Sequence, residues 1–143
     1  MTSQLNVDTI VDKAGSGGTN VKVANTSTYV SDGGATTQNT VQGLAKAWVN
    51  FKGTDTFAVN DSFNVASCDD NGTGDYDINI SSAFSNDDFS STSGCQGDGS
   101  NDNRAVCTDN NSTSEVFINA FVCSSGEVVD EDLIYYTAHG DLA

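Results

Sequence analysis

The sequence predicts an all-β fold: an antiparallel β-sandwich of jelly-roll-like form, with a short N-terminal β segment. Three observations carry the fold class. Apolar alternations of period two recur, as in Val49-Asn50-Phe51 and Tyr76-Asp77-Ile78-Asn79-Ile80, the spacing that sends side chains to opposite faces of a strand. The polar residues are mainly Asn, Ser, Thr, Gly and Asp, which favour turns and solvent-facing strand positions over helix interiors. Seven Phe, four Tyr and one Trp in 143 residues are too many aromatics for a chain disordered throughout. A chain of this length suits one domain burying roughly 68–70% of its unfolded surface.

Taken in order, Gln4 to Lys13 sets Leu5, Val7, Thr9 and Val11 against Asn6, Asp8, Ile10 and Asp12 and reads as a strand with one mostly apolar face. AGSGGTN turns the chain, Val21 to Val23 adds a second short strand, and STYVSDGG at 27 to 34 adds a third small apolar point ending in a glycine pair. Strands this short and polar are marginal as isolated hairpins. Residues 1 to 44 are therefore expected to form an attachment and oligomerisation segment, and 45 to 143 the sandwich. Ala35 to Gly43 reads as a polar connector. Thr40 to Trp48 is expected to make one or two helical turns, weakened by Gly43.

Ala45 to Ile80 is the expected sheet nucleus. Ala47, Val49 and Phe51 share one face, and Trp48, Asn50 and Lys52 the other. Gly53 to Asp55 turns, and Phe63 and Val65 resume one face. Asn71-Gly72 is the dipeptide best suited to the positive φ angles of a tight hairpin, with Tyr76, Ile78 and Ile80 on the return strand. Ser81 to Ser114 holds few apolar residues and reads as surface loop. In Glu115 to Val122, Val116, Ile118, Ala120 and Val122 face one way and Phe117 and Phe121 the other, so this strand is central or covered by a partner. The run from Leu133 supplies the last strand. Trp48, Phe51, Phe63, Tyr76, Phe117 and Phe121 are the expected core or subunit-contact aromatics.

The formal charge is −15, from twenty acids and five bases. It opposes contact with a phosphate backbone, which needs clustered Lys or Arg, and nucleic acid is not an expected partner. Lys13, Lys22, Lys46, Lys52 and Arg104 are scattered, and no apolar run reaches membrane-span length, so membrane insertion is not expected either. The opening residues lack the basic and apolar regions of a secretory signal, from which synthesis in the cytosol is expected. The acidity reads as a solubility device, with cation binding or high salt as the alternative.

Candidate chemistry is sparse. The acidic loops at 69 to 77 and 97 to 103 superficially resemble calcium loops, but neither places a Glu twelve residues from its first Asp. No cofactor is assigned, and structural calcium stays an alternative. The single histidine, His139, stands near the end of the chain without a GxSxG elbow elsewhere. No catalytic role is expected. Trp48, Tyr76, Tyr135 and Tyr136 have the amphipathic character to stack on sugar rings, or to sit in the core. Four cysteines without a CxxC pair disfavour a zinc site. They form either two disulfides in one of three pairings, of which Cys95 with Cys107 and Cys68 with Cys123 is the plausible one, or four free thiols. A particle assembled in a cytosol and released into an oxidising exterior accommodates both.

The run AKAWVNFKGTDTFAVNDSFNVAS followed by DNGTGDYDINISSAFSNDDFS resembles a module of tail-fibre and related virion proteins of marine bacteriophages, in which AWVNFNGTGT, DSFNVSS and DNGTGDYTVNF occur in that order. The opening LNVDTIVDKAGSGG is similar to the start of such proteins, and the likeness covers about residues 4 to 90 and the GDLA terminus. This chain departs from the pattern at Lys52 and Asp55 and in its acidic, cysteine-bearing 91 to 114 region. The resemblance implies a non-enzymatic virion structural protein, tail-fibre-like and homotrimeric. Its partners would be other virion proteins and, through exposed loops, a host cell-surface glycan or protein. The loop residues so assigned are Asp70, Asn71, Asp75, Asp87, Asp88, Asp98, Asn101, Asn103 and Arg104. A capsid decoration or head-fibre protein is one alternative. A calcium- or glycan-binding lectin-like module outside any particle is the other.

Overall fold

The computed structural model describes residues 28 to 30, 37 to 41, 43 to 96 and 103 to 143. All of the regular structure among them is β. The chain divides into two compact units, Met1–Val41 and Gln42–Ala143. In the first, β1 (Thr28–Val30) pairs antiparallel with β2 (Thr37–Asn39), Tyr29 standing opposite Gln38. The second of these strands falls in the stretch read as a connector, because Thr37 is β-branched and a two-strand ribbon asks little apolar surface of either partner. The strands expected at 4 to 13 and 21 to 23 lie outside the described residues.

The second unit contains β3 (Ala47–Lys52), β4 (Ala58–Phe63), β5 (Val65–Gly72), β6 (Asp75–Ile80), β7 (Ser90–Gln96), β8 (Arg104–Asn110), β9 (Glu115–Val122) and β10 (Leu133–His139). They form two four-stranded antiparallel sheets packed face to face as a β-sandwich, in the spatial orders β4-β3-β10-β7 and β5-β6-β9-β8. The period-two alternation fills the space between them. Ala47, Val49, Phe51, Ile134, Tyr136 and Ala138 of the first sheet meet Tyr76, Ile78, Ile80, Val116, Ile118 and Ala120 of the second, all buried. Each large side chain so enclosed contributes about 1.5–3 kcal/mol. Phe51 also meets Tyr76 edge-on at 5.0 Å between ring centroids, a favoured aromatic geometry.

One flank of the interior is polar. Ser91 and Ser93 stand opposite the buried Ala138 and Tyr136 on β7's inner face. From β8, Thr108 Oγ1 donates to Ser93 Oγ at 2.6 Å, and Ser91 Oγ donates to Asn110 Oδ1 at 3.0 Å. Hydroxyls and amides join the two sheets there, where aliphatic side chains do so elsewhere. This is why two strands form inside the stretch expected to be loop. Phe84 and Phe89, from the same stretch, stack at 4.0 Å and close one end of the sandwich.

Three local expectations are corrected. Residues 40, 41 and 43 to 46 form turns and bends leading into β3, and the expected helical turns are not among them. Lys46 N donates to Ala138 O at 2.8 Å, so this backbone already belongs to the sheet. Phe63 and Val65 do not share a face, because the chain changes sheets at Asn64, whose φ is 56°. Asn64 tolerates that angle and fastens the crossing: Nδ2 donates to Lys46 O at 3.0 Å and Ser82 O at 3.1 Å, and Oδ1 accepts from Ser82 N at 2.8 Å. The β5–β6 hairpin forms as expected, but Gly72 pairs with Asp75, so the loop is Thr73-Gly74, two residues beyond Asn71-Gly72. Gly74 has a φ of 66°, and a Cβ there would lie 2.5 Å from Ala120 O and 2.8 Å from Val129 O. A backbone strap, Val128 to Asp132, leaves no room for one.

Candidate functional site

The sandwich has two ends. The first gathers the Thr73-Gly74 turn, the starts of β8 and β10 and the strap. There Asp130 Oδ1 accepts from Gly74 N at 2.8 Å and from the buried Tyr76 hydroxyl at 2.9 Å. Gly53 N donates to Glu131 O at 3.0 Å. The second end gathers Lys46, Asn64, residues 81 to 89 and 140 to 143, joined by Ser85 N to Asp141 O and Ala143 N to Ala83 O.

The residues expected to face a receptor are divided between these ends. Asp70, Asn71, Asp75 and Asn103 lie exposed at or near the first, and Asp87 and Asp88 lie exposed at the second. Asp98 and Asn101 lie outside the described residues. Asp70 Oδ1 accepts from Gly72 N at 3.0 Å, fixing the hairpin. Asn103 O accepts from Cys123 N, extending the β8–β9 ladder. Arg104 is not a loop residue. It opens β8, and its Nε lies 3.1 Å from Oε1 of Glu131, itself only 2% exposed, as a buried ion pair.

The two outer faces differ in chemistry. On β5-β6-β9-β8, Asp69, Asp77, Phe117 and Asp109 stand side by side in register, with Asp75 and Asn119 in the next row. Asn79 Nδ2 donates to Asp69 at 2.9 Å and Asn119 Nδ2 to Asp75 at 3.1 Å, so neutral amides donate to two of the carboxylates. Asn71, Asp75, Asp77, Phe117 and Asn119 border a shallow depression of about 310 Å³. Phe117 and Phe121, expected in the core or a contact, lie half-buried on this face.

The outer face of β4-β3-β10-β7 carries aromatics. Trp48 stands directly opposite Phe63 on one side and Thr137 on the other, and the next row holds Asp61, Asn50, Tyr135 and Gly94. Phe63 is 53% exposed and Tyr135 37%, while Trp48 is half-buried. Of the six expected contact aromatics, Phe51 and Tyr76 are core residues, and Trp48 and Phe63 belong to this surface. The Tyr135 hydroxyl donates to Gln96 Oε1 at 3.2 Å and Asn60 Nδ2 to Asn50 Oδ1 at 2.9 Å. At the second end, Asn86, Asp88, Phe89, Ser90, His139 and Asp141 line a recess of about 350 Å³. Gly140 also borders it, and a Cβ there would lie 2.7 Å from Phe89 Cβ and 3.1 Å from the Phe84 ring. The small residue lets the chain close over the stacked phenylalanines. His139, read from sequence as inert, becomes part of this recess. Its place was readable only from the parity of LIYYTAH, which puts Leu133, Tyr135, Thr137 and His139 on one face.

All four cysteines are free thiols, and the two expected disulfides are not made. Cys95 stands opposite the buried Ile134 and so faces inward, whereas Cys107 stands opposite the exposed Asn119 and faces outward. Cys68 lies in register with Ile78 and Val116, while Cys123 follows Val122 at the far end of β9. Seven residues of strand, about 23 Å, separate them, against a Cα separation of at most about 7 Å in a disulfide. Burial, then Asp69, Asp77 and Asp70, push the Cys68 thiol from its ordinary 9.0 up to about 12. Burial and then the Glu131 carboxylate raise Cys95, with Arg104 opposing.

Among the described residues no three His, Cys, Asp or Glu side chains come together to hold a metal ion, and no helix is long and apolar enough to cross a membrane. Compared with protein-family models, curated proteins and solved structures, the chain matches none.

Proposed function

We propose that the protein is a non-enzymatic structural component of a bacteriophage virion, tail-fibre-like, that presents its surface to the host cell. What supports the reading is the way the motif string of the resemblance coincides with the devices of the fold. AWVNF is β3, whose inner residues are core. DSFNV contains the Asn64 crossing between sheets. DNGTGDY contains the Gly74 turn under the strap and the Tyr76 hydroxyl that anchors it. A string that specifies a scaffold travels between proteins that share the scaffold and differ in their loops. In this chain the acidic, cysteine-bearing departure falls outside the string.

The experiment is localisation on purified particles. Peptide mass spectrometry of gradient-purified virions is expected to find the chain, and antibody labelling in negative stain is expected to mark the tail. Label on the head would make it a capsid decoration or head-fibre protein. Absence from intact particles would overturn the virion reading.

A further inference from the structure

We propose that the outer face of β4-β3-β10-β7, together with the recess at its end, binds a neutral oligosaccharide. The proposal rests on the host-contact reading above and moves the contact from the loops to a sheet face.

Four observations converge. The aromatics Trp48, Phe63 and Tyr135 lie in two adjacent rows of one flat face, and a pyranose ring presents an apolar C–H face that stacks on such side chains. Phe63 is two strands from β10, about 10 Å, and Tyr135 is four residues from His139, about 13 Å. The recess is therefore within two or three sugar rings of every stacking side chain. Its volume of about 350 Å³ falls in the range of small-molecule sites and admits a ring that a flat protein surface could not insert. Its rim alternates acceptors with groups that both donate and accept: Asp88, Asp141, Asn86, Ser90 and His139, a set that suits vicinal hydroxyls.

Charge selects the occupant. The chain carries −15 overall, and among the described residues the opposite outer face has Asp69, Asp75, Asp77, Asp109 and Glu115 with no base. On the aromatic face, among the described residues, Lys52 is paired to Asp55 at 3.0 Å and Lys46 is buried, so an anionic glycan meets little positive charge there. A second copy of this chain would bring its own excess of carboxylates to the contact. An uncharged glycan incurs neither repulsion.

Trp48 is the only tryptophan, so its emission reports on this face alone. Maltohexaose, cellohexaose and laminarihexaose are each titrated to about 10 mM, a range that detects weak affinity, with an oligogalacturonate as anionic control. At least one neutral hexaose is expected to shift and saturate the emission, and the anionic control is not. Phe63→Ala and Tyr135→Ala remove rings that lie outside the core and should each weaken binding about 3- to 10-fold with the protein still folded. His139→Ala should weaken it about 3-fold. In amide NMR spectra the shifts should map to residues 48, 63, 135 and 139 and spare 69, 77 and 117. Three results overturn the proposal: no saturable change with any neutral hexaose, binding indifferent to Phe63→Ala and Tyr135→Ala, or a fall in solution mass on Phe63→Ala, which would give the face to a second copy. Each leaves the particle localisation test standing, so failure of this site and failure of the virion reading are distinguishable.

Discussion

The buried thiol of Cys68 should make folding stability fall in alkali by a calculable amount. It lies on the inner face of β5 opposite Ile78, and desolvation, followed by Asp69, Asp77 and Asp70, pushes it from 9.0 to about 12. Below about pH 9 folded and unfolded chains both keep the proton, and the group adds no pH dependence. Between about 9 and 12 the unfolded chain releases the proton and the folded chain holds it, so stability is lost at about 1.4 kcal/mol per pH unit. From about pH 8 to pH 11 the loss is about 2.7 kcal/mol, a large share of an ordinary domain's 5–15 kcal/mol. Burial raises the phenols of Tyr76 and Tyr136 as well, so the thiol must be isolated by comparison. Urea unfolding followed by Trp48 emission, under reductant, is measured for the wild type and for Cys68→Ala across that range. The cavity in Cys68→Ala costs the same at every pH, so its stability should decline between the two extremes by about 2.7 kcal/mol less than the wild type's. Parallel curves would refute the placement of a protonated thiol in the core.

Asn64→Ala should cost about 2–4 kcal/mol in urea unfolding, since it removes three hydrogen bonds and leaves a β-carbon residue at positive φ. Asn64→Gly, which relieves the backbone angle only, should recover about 1 kcal/mol of that, and equal losses would remove the conformational part of the argument. Gly74→Ala should lower stability by about 2–4 kcal/mol, or block folding, because the new Cβ meets Ala120 O and Val129 O; a melting temperature within a degree of wild type would show that the strap does not pack as described. Asp77→Asn removes one of two carboxylates directly opposed on β5 and β6. It should raise stability by about 0.2–1 kcal/mol at low salt, and the gain should vanish near 1 M NaCl, where the screening length is about 3 Å.

Much of the sandwich was legible because its core strands alternate cleanly. Ala47-Val49-Phe51, Tyr76-Ile78-Ile80, Val116-Ile118-Ala120 and Ile134-Tyr136-Ala138 are inward triplets of period two. The strands β7 and β8 were not legible, since their inward residues include Ser91, Ser93, Thr108 and Asn110, which carry the signature of a loop. Only the register of the facing strand supplies the hydroxyl and amide partners that make those residues interior. The turn at Thr73-Gly74 was misplaced because Asn71-Gly72 has the better local propensity, and the deciding contact comes from Ala120 and Val129, far along the chain. The candidate surface was half visible. Trp48, Phe63 and Tyr135 stand apart in the sequence, and their assembly on a single face depends on β10 lying beside β3. The two readings of the cysteines, disulfides or four free thiols, stayed open for a related reason, since spacing along the chain says nothing about which face of a strand a thiol occupies.

That β10 lies between β3 and β7 has a bearing on how the molecule is made. On a ribosome β3 and β4 emerge early, and β5, β6, β7, β8 and β9 all follow before residues 133 to 139 exist. Throughout that interval the first sheet is split into a hairpin and a lone strand, and the flank of β3 that β10 will occupy shows unpaired amides and carbonyls beside Val49 and Phe51. A nascent chain in that state is open to the β10 of a finished neighbour, which carries the same Ile134, Tyr136 and Ala138 and pairs in the same register. Crowded synthesis would then yield strand-exchanged pairs that keep every contact of the native sandwich while joining two polypeptides, and slow, dilute expression would yield the closed single chain.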